Sequence, residues 1–233
     1  MIKAVFFDWF NTLADYKPPR YQLHSQACHE FGIELSPELV RRGVLAADKY
    51  FFDENLQSPV EKRSQETKAQ VYLHYQEIVL GEAGAKVARP VLLAIMDRVR
   101  RLFAGATWAL FDDALSTLKT LKERKLILGL LTNLSQDMDT VFSKLGLKPY
   151  LAFAVTPGEA GADKPLPPIF LLALERAQVK ASEAIHVGDQ YNIDVVGARG
   201  VGIQPILLDR YDQYPEVTDC PRIRTLPEIV NFL

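Results

Sequence analysis

The sequence predicts an α/β fold, a doubly wound parallel sheet with helices on both faces, interrupted near its start by an inserted helical domain. Three observations predict it. Ala4-Val5-Phe6-Phe7, Leu126–Leu131, Ala184–Val187 and Ile203–Leu208 are short apolar runs bounded by polar residues, as buried strands are. From Trp108 onward such runs alternate with amphipathic stretches, the pattern of a parallel sheet covered on both faces. Between Pro18 and Phe103 the period is helical and no strand is evident. The α/β core is therefore assigned to residues 1–15 and 106–233, and the helical domain to 16–105.

Taken in order, the first strand stops at Asp8 and is followed by a loop carrying Asn11 and Thr12. The helical domain reads as four helices. Tyr21–Phe31 presents Leu23, Ala27 and Phe31 and stops at Gly32. A second helix runs towards Tyr50, with Ser36 as its N-cap and Pro37 at its first position. Glu61–Val79 and Pro90–Phe103 complete the set, with no recurring period to suggest a repeat array. The core then alternates: helix Asp112–Lys125, strand Leu126–Leu131, helix Gln136–Leu145 closed by Gly146, and strand Leu151–Val155. Helix Pro168–Ala177, strand Ala184–Val187, a helix through Asp194 and Ala198, strand Ile203–Leu208 and a closing helix Leu226–Phe232 follow.

Composition narrows the function. The 233 residues leave ample length for a buried core, and 48% hydrophobic with 24% charged residues is ordinary for a globular protein. A net charge of −2 gives no reason to expect nucleic-acid or membrane binding, which leaves a small molecule as the expected partner. No stretch approaches the roughly 20 apolar residues of a transmembrane helix, and the N-terminus runs straight into a strand, so a cytoplasmic location is expected. Cys28 and Cys220 are too few for a disulfide framework and lack metal-site spacing. Oligomeric state is not legible.

The chemistry lies at the strand ends. Ligands of open parallel sheets bind outside the carboxyl ends of the strands. Asp8 offers a carboxylate there, Thr132 and Asn133 a hydroxyl and an amide, Lys164 a cation, and Asp189 with Asp194 two further carboxylates. A carboxylate nucleophile beside a cation and a metal site is coherent for phosphoryl transfer or hydrolysis. Carboxylates with a backbone carbonyl and waters are the ligands Mg²⁺ prefers. Each group also has a plainer reading. Asp8 could cap a turn, Thr132-Asn133 could cap a helix, and Lys164 could be a solvated loop lysine. Asp189 and Asp194 could simply favour a helix N-terminus. His186, inside an apolar strand, reads as a packed core residue. His24 and His29 are five apart, poorly placed to share a helix face or a metal.

Four segments in order, Asp8-Trp9-Phe10-Asn11-Thr12-Leu13, Leu131-Thr132-Asn133, Lys164-Pro165 and Gly188-Asp189-Gln190-Tyr191-Asn192-Ile193-Asp194, resemble the motifs of the haloacid dehalogenase-like hydrolase superfamily. The resemblance spans the whole core, and the insertion matches that family's type 1 helical cap. It implies a Rossmann-like core and Mg²⁺-dependent hydrolysis through an aspartyl-phosphate. It also implies roles. Asp8 would be the nucleophile, Thr132 would bind the transferring group, and Lys164 would hold nucleophile and substrate anion. Asn11, Thr12 and Asn133 would bind substrate. Asp8, the Phe10 backbone carbonyl, Asp189 and Asp194 would hold Mg²⁺.

One position departs from the pattern. Phosphatases of the superfamily carry a second Asp two residues after the nucleophile, which protonates the leaving alcohol and then activates water. Here it is Phe10, and Asn11 replaces the usual Gly. Three readings remain. The dehalogenase branch has an aromatic residue there, but it does without Mg²⁺ and lacks the Gly-Asp kept here as Gly188-Asp189. The phosphonatase branch begins Asp-Trp, like Asp8-Trp9, and needs a Schiff-base lysine, for which Lys49, Lys62 and Lys68 are candidates. The third is phosphate-ester chemistry without this acid, or a weakly catalytic binding protein. Losing a general acid costs roughly 10²–10⁴-fold for a poor leaving group and little for an acidic one. The retained metal site therefore favours a phosphatase of small phosphorylated metabolites.

Overall fold

A computed structural model describes every residue of the chain except Gln136. The chain divides into two compact units, Met1–Asp15 with Trp108–Leu233, and Tyr16–Thr107. Strand β1 (Ala4–Phe7) opens the first unit, and a short strand β2 (Ala14–Lys17) leads out of it.

Four helices make the second unit: α1 (Arg20–Glu30), α2 (Pro37–Gln57), α3 (Gln65–Glu82) and α4 (Arg89–Phe103). Helix α2 extends a further two turns past Tyr50. At Gly43 of α2 a Cβ would lie 2.4 Å from the Val79 carbonyl of α3, so a bare backbone lets these helices close up. Val40, Val44 and Ala47 then pack on Val79 and Ala83, while Ala27 and Cys28 of α1 pack with Leu80, Leu92 and Ile95.

The chain re-enters the first unit through β3 (Thr107–Leu110), which pairs with β2. These two strands mark the crossings and were not expected from the apolar pattern, because four-residue strands carry little period. The remaining elements are α5 (Ala114–Glu123), β4 (Ile127–Leu131), α6 (Met138–Leu145), β5 (Phe153–Val155) and the one-turn α7 (Pro157–Ala160). After them come α8 (Pro167–Ala177), β6 (Ala184–Gly188), α9 (Val196–Gly200), β7 (Gln204–Leu208) and β8 (Arg222–Ile223). The expected helix start at Gln136 lies outside the described residues. Asp137 caps α6 by accepting from the Asp139 and Thr140 N–H groups at 3.1 and 3.4 Å. The expected closing helix at 226–232 is a run of 3₁₀ turns instead.

The sheet is wholly parallel, in the order β5-β4-β1-β6-β7-β8. Alternation along β1 sends Val5 and Phe7 into a core with α5 and α6, and Ala4 and Phe6 into a core with α8 and α9. The sheet is therefore covered on both faces, as a doubly wound fold requires. Successive strands run outward from β1 in both directions, so the strand order reverses beside β1, where such folds form their crevice. No helix among the described residues is long and apolar enough to cross a membrane.

Candidate active site

Asp8 follows the last residue of β1, and its N–H donates to the Val187 carbonyl of β6 at 2.8 Å, which prolongs the ladder by one bond. Its side chain therefore leaves from a fixed backbone. Lys164 Nζ donates to Asp8 Oδ1 at 2.6 Å and to Asp194 Oδ1 at 2.8 Å, and the ammonium group is buried. Asn133 sets the lysine's place. Its Oδ1 accepts from the Lys164 N–H at 2.7 Å and its Nδ2 donates to the Lys164 carbonyl at 2.9 Å. The loops after β4 and before α8, 31 residues apart, are tied by this pair of bonds.

Asp189 follows β6, and Asp194 lies in one wide π-type turn, Tyr191–Val195, before α9. This turn stands where an ordinary helix was expected. The wide turn folds the Asp194 side chain back against β6, where a Cβ at Gly188 would lie 2.1 Å from Asp194 Cγ. Glycine is required there by close approach. Gln190 holds both acids: its N–H donates to Asp194 Oδ2 at 3.1 Å and its Nε2 donates to Asp189 Oδ2 at 2.8 Å. Behind it, Tyr214 donates to Gln190 Oε1 at 3.2 Å. Tyr214 is placed by Asp209, whose carboxylate accepts from the Gln213 and Tyr214 N–H groups at 2.7 and 3.0 Å. On the other side, Arg210 grips Asp113 through two bonds and donates to the Thr12 carbonyl at 3.0 Å, anchoring the loop after β1.

Oxygens of Asp8, Asp189 and Asp194 all lie within 4.8 Å of one another, and all three residues are buried. The three carboxylates face one lysine, which bonds Asp8 and Asp194, so the fully ionised cluster is short of two positive charges. The electrostatics follow. Burial, together with Asp194, pushes the Asp8 carboxyl up to about 6 against the pull of Lys164. Burial and the charges of Asp8 and Asp194 hold the Asp189 carboxyl well above the usual carboxylate range. Burial opposes the charge of Asp194 too, but Lys164 and the bond from His186 hold its carboxyl below its ordinary value. Burial would lower Lys164, yet Asp194 and Asp8 keep it charged and raise it. Three close oxygens with uncompensated negative charge suit a hard divalent cation.

The other expected residues are distributed around this cluster. Asn11 sits in the left-handed region at φ 58°, a conformation Asn tolerates, and its side chain donates to Asp189. Thr12 is buried with a hydroxyl that has no hydrogen-bond partner. Thr132 is buried, and its Oγ1 accepts from the Leu134 N–H at 3.2 Å. Asn133, expected to bind substrate, commits both ends of its amide to Lys164. Phe10 is half-buried and packs edge-on against Trp108 with centroids 6.2 Å apart, and Trp108 packs likewise on Trp9 at 5.6 Å. The acid position is thus taken by an aromatic cluster. The lysines suggested for a Schiff base are near the surface: Lys49 and Lys62 are exposed, and Lys68 pairs with Glu61 at 2.9 Å.

Gln190, Tyr214 and His186 were not foreseen as parts of the site. His186 Nε2 lies 2.9 Å from Asp194 Oδ1. A signal for it existed, since residues 186 and 188 share one face of a strand. A side chain admitted by Gly188 would pass His186.

An acidic cluster with one lysine thus stands at the carboxyl ends of a doubly wound sheet and beside its reversal point, where α/β folds of this class bind their ligands. Comparison with known proteins specifies the family. The family model for haloacid dehalogenase-like hydrolases matches residues 2–202, and the chain belongs to that family. It is 30% identical over 223 residues, 94% of this chain and 90% of the other, to the zebrafish (Danio rerio) haloacid dehalogenase-like hydrolase domain-containing protein 3. It is 29% identical to the ribulose-1,5-bisphosphate 5-phosphatase of Halopiger xanaduensis, across 97% of this chain and 92% of that one. The HAD-hydrolase YfnB of Bacillus subtilis, crystallised with magnesium, shares the fold at a TM-score of 0.67 and 19% identity, over 100% of this chain and 98% of that one.

Proposed function

We propose that this hydrolase is a phosphatase of small phosphorylated metabolites, with Asp8 as its nucleophile. The observation that carries the reading is Asp8 itself, aimed from the end of β1, bonded to Lys164 at 2.6 Å and flanked by two further carboxylates. Asp8, Asp189 and Asp194, with the Phe10 carbonyl, are the residues that would hold Mg²⁺. The ion would supply the missing positive charge and draw the negative phosphoryl group in. Asp8 attacks phosphorus in line, the bond to the leaving oxygen breaks, and the phosphoryl group rests on the Asp8 carboxylate until water displaces it. Lys164 stays charged throughout and balances the oxygens of the transferring group. Thr132 and the unmatched Thr12 hydroxyl are the neutral donors proposed for that group.

Phe10 offers no proton, so the leaving group departs as an anion and phosphates of acidic hydroxyls are the favoured substrates. The ribulose-1,5-bisphosphate 5-phosphatase relative places sugar phosphates first in a substrate panel. Dehalogenation of a 2-haloacid is less well supported, because three buried carboxylates would repel the carboxylate of that substrate unless a cation were bound.

The test is hydrolysis of p-nitrophenyl phosphate and a panel of sugar phosphates, with Mg²⁺ or with EDTA, beside Asp8→Asn. p-Nitrophenolate leaves without a proton, so the assay does not ask for the missing acid. Mg²⁺-dependent turnover that falls at least about 10³-fold in Asp8→Asn is the expected result. Silence on every phosphoester, with halide released from a 2-haloacid, would overturn the reading.

A further inference from the structure

A histidine stands in the middle of β6, on the face that Gly188 leaves open. His186 is fully buried, its ring perpendicular to Phe170 with centroids 5.3 Å apart. Its Nε2 is 2.9 Å from Asp194 Oδ1. The same oxygen accepts from Lys164 Nζ at 2.8 Å, and that ammonium reaches Asp8 Oδ1 at 2.6 Å. Three short contacts therefore run from a mid-strand imidazole to the nucleophile.

The tautomer follows from the partner. An ionised carboxylate oxygen only accepts, so Nε2 must carry the proton. Nδ1 is then an acceptor, and it is buried without any hydrogen-bond partner. An aliphatic side chain at this strand position would fill the space beside Phe170 and leave no unmatched nitrogen. What it could not do is donate to Asp194. The cost of the imidazole is thus offset by one contact, and that contact fixes a charged group of the site.

Asp194 needs such fixing. Lys164 draws its Oδ1 from one side, towards Asp8, and Gln190 N–H holds only Oδ2. Without a donor behind Oδ1, the carboxylate is free to rotate with the lysine, and the lysine to shift off Asp8. We infer that His186 is a positioning residue: its Nε2–H pins Asp194 Oδ1, so that Lys164, shared between Asp194 and Asp8, is held against the nucleophile. His186 itself touches neither substrate nor the reacting atoms. The inference rests on the reading of Asp8 as nucleophile.

The experiment compares His186→Leu, which removes the donor, with His186→Gln, whose amide nitrogen reaches about as far as Nε2. With p-nitrophenyl phosphate at saturating Mg²⁺, His186→Leu should lose about 10-fold to 100-fold in kcat at little change in KM. His186→Gln should recover to within about threefold of the unaltered protein, a rescue that shape alone does not produce. A folded His186→Leu with unaltered kcat would overturn the inference, and so would a Gln variant as slow as Leu. A second measurement needs no variant. The imidazole ¹⁵N spectrum of the unaltered protein should show His186 protonated at Nε2, and a ring protonated at Nδ1 alone would overturn the inference whether or not His186→Leu folds. A protein with no Asp8-dependent turnover would remove the phosphatase reading, while the ¹⁵N spectrum would still decide the contact between His186 and Asp194.

Discussion

Each unit of this chain buries an ionic network, and the two are built on opposite principles. In the helical unit, Arg20 at the start of α1 forks onto Asp48 of α2, and Tyr75 of α3 donates to the same carboxylate at 2.9 Å. The guanidinium meets the carboxylate, and a phenol fills a remaining lone pair. The contact ties three helices together. In the α/β unit, three carboxylates lie beside one lysine, and two of them, Asp8 and Asp189, are held above their ordinary range by burial and by neighbouring carboxylates, Asp194 acting on both. That arrangement costs stability and is useful only when something positive or electrophilic arrives. A paired buried network can serve as a brace, and an unbalanced one is where a site is proposed.

The same Asp→Asn change should therefore have opposite effects in the two units. Asp48→Asn would remove the charge that the half-buried guanidinium of Arg20 forks onto, and we expect unfolding free energy in urea to drop by about 3 kcal/mol. An unchanged midpoint and slope would show that this pair is no brace. Next in size is Phe10→Asp, which puts a proton donor where the aromatic cluster now sits. Turnover of alkyl phosphates should rise about 10-fold to 100-fold, with little gain on p-nitrophenyl phosphate, so a plot of rate against leaving-group acidity should flatten. An equal gain on both substrates would mean that proton supply is not what Phe10 limits.

A third test uses pH. Burial, with the nearby charge of Arg20, pushes the His24 imidazole of the helical unit down to about 3. The unfolded chain then binds a proton that the folded chain refuses. Stability from this group is complete above about pH 6.5 and is lost as pH falls towards 3, by about 1.4 kcal/mol per unit. Chemical denaturation at pH 7 and pH 5.5 should show this loss, and His24→Phe should be flatter over the same interval. Parallel curves for the two proteins would remove the assignment. The smallest effect expected is Asp189→Asn. Because burial and the neighbouring carboxylates disfavour its ionised form in the folded state, removing the charge should raise the stability of the metal-free protein at pH 8. The same variant should no longer be stabilised by added Mg²⁺. A destabilised, still Mg²⁺-responsive Asp189→Asn would place that carboxylate among the braces instead.

Much of this was legible in the sequence, because the signals were local. A strand followed directly by Asp8, or by Asp189, places a carboxylate at the carboxyl end of the sheet. The alternation of apolar runs with amphipathic stretches already specified a sheet covered on both faces. The four-helix insertion read correctly as helical, although α2 ran past its expected end into a stretch of aromatic and charged residues without a clear stop signal. Less legible were features whose cause is a distant partner. Asn133 carries no mark that its amide would be spent on Lys164, 31 residues on. Nothing in the order Gln190…Tyr214 predicts that a phenol fixes the amide beside Asp189. The wide turn at Tyr191–Val195, which lays the Asp194 side chain against Gly188, is not encoded by helical propensity.

The sequence by itself determined the α/β class, the helical insertion and the identity of the groups at the strand ends, since hydrophobic period and turn chemistry act over a few residues. Only the tertiary structure decided how those groups share charge. It placed one lysine among three carboxylates, set Asp194 against His186, and turned Phe10 into the Trp108 cluster. Those outcomes depend on which strands become neighbours of β1, and electrostatics between buried groups is governed by distance in space rather than along the chain.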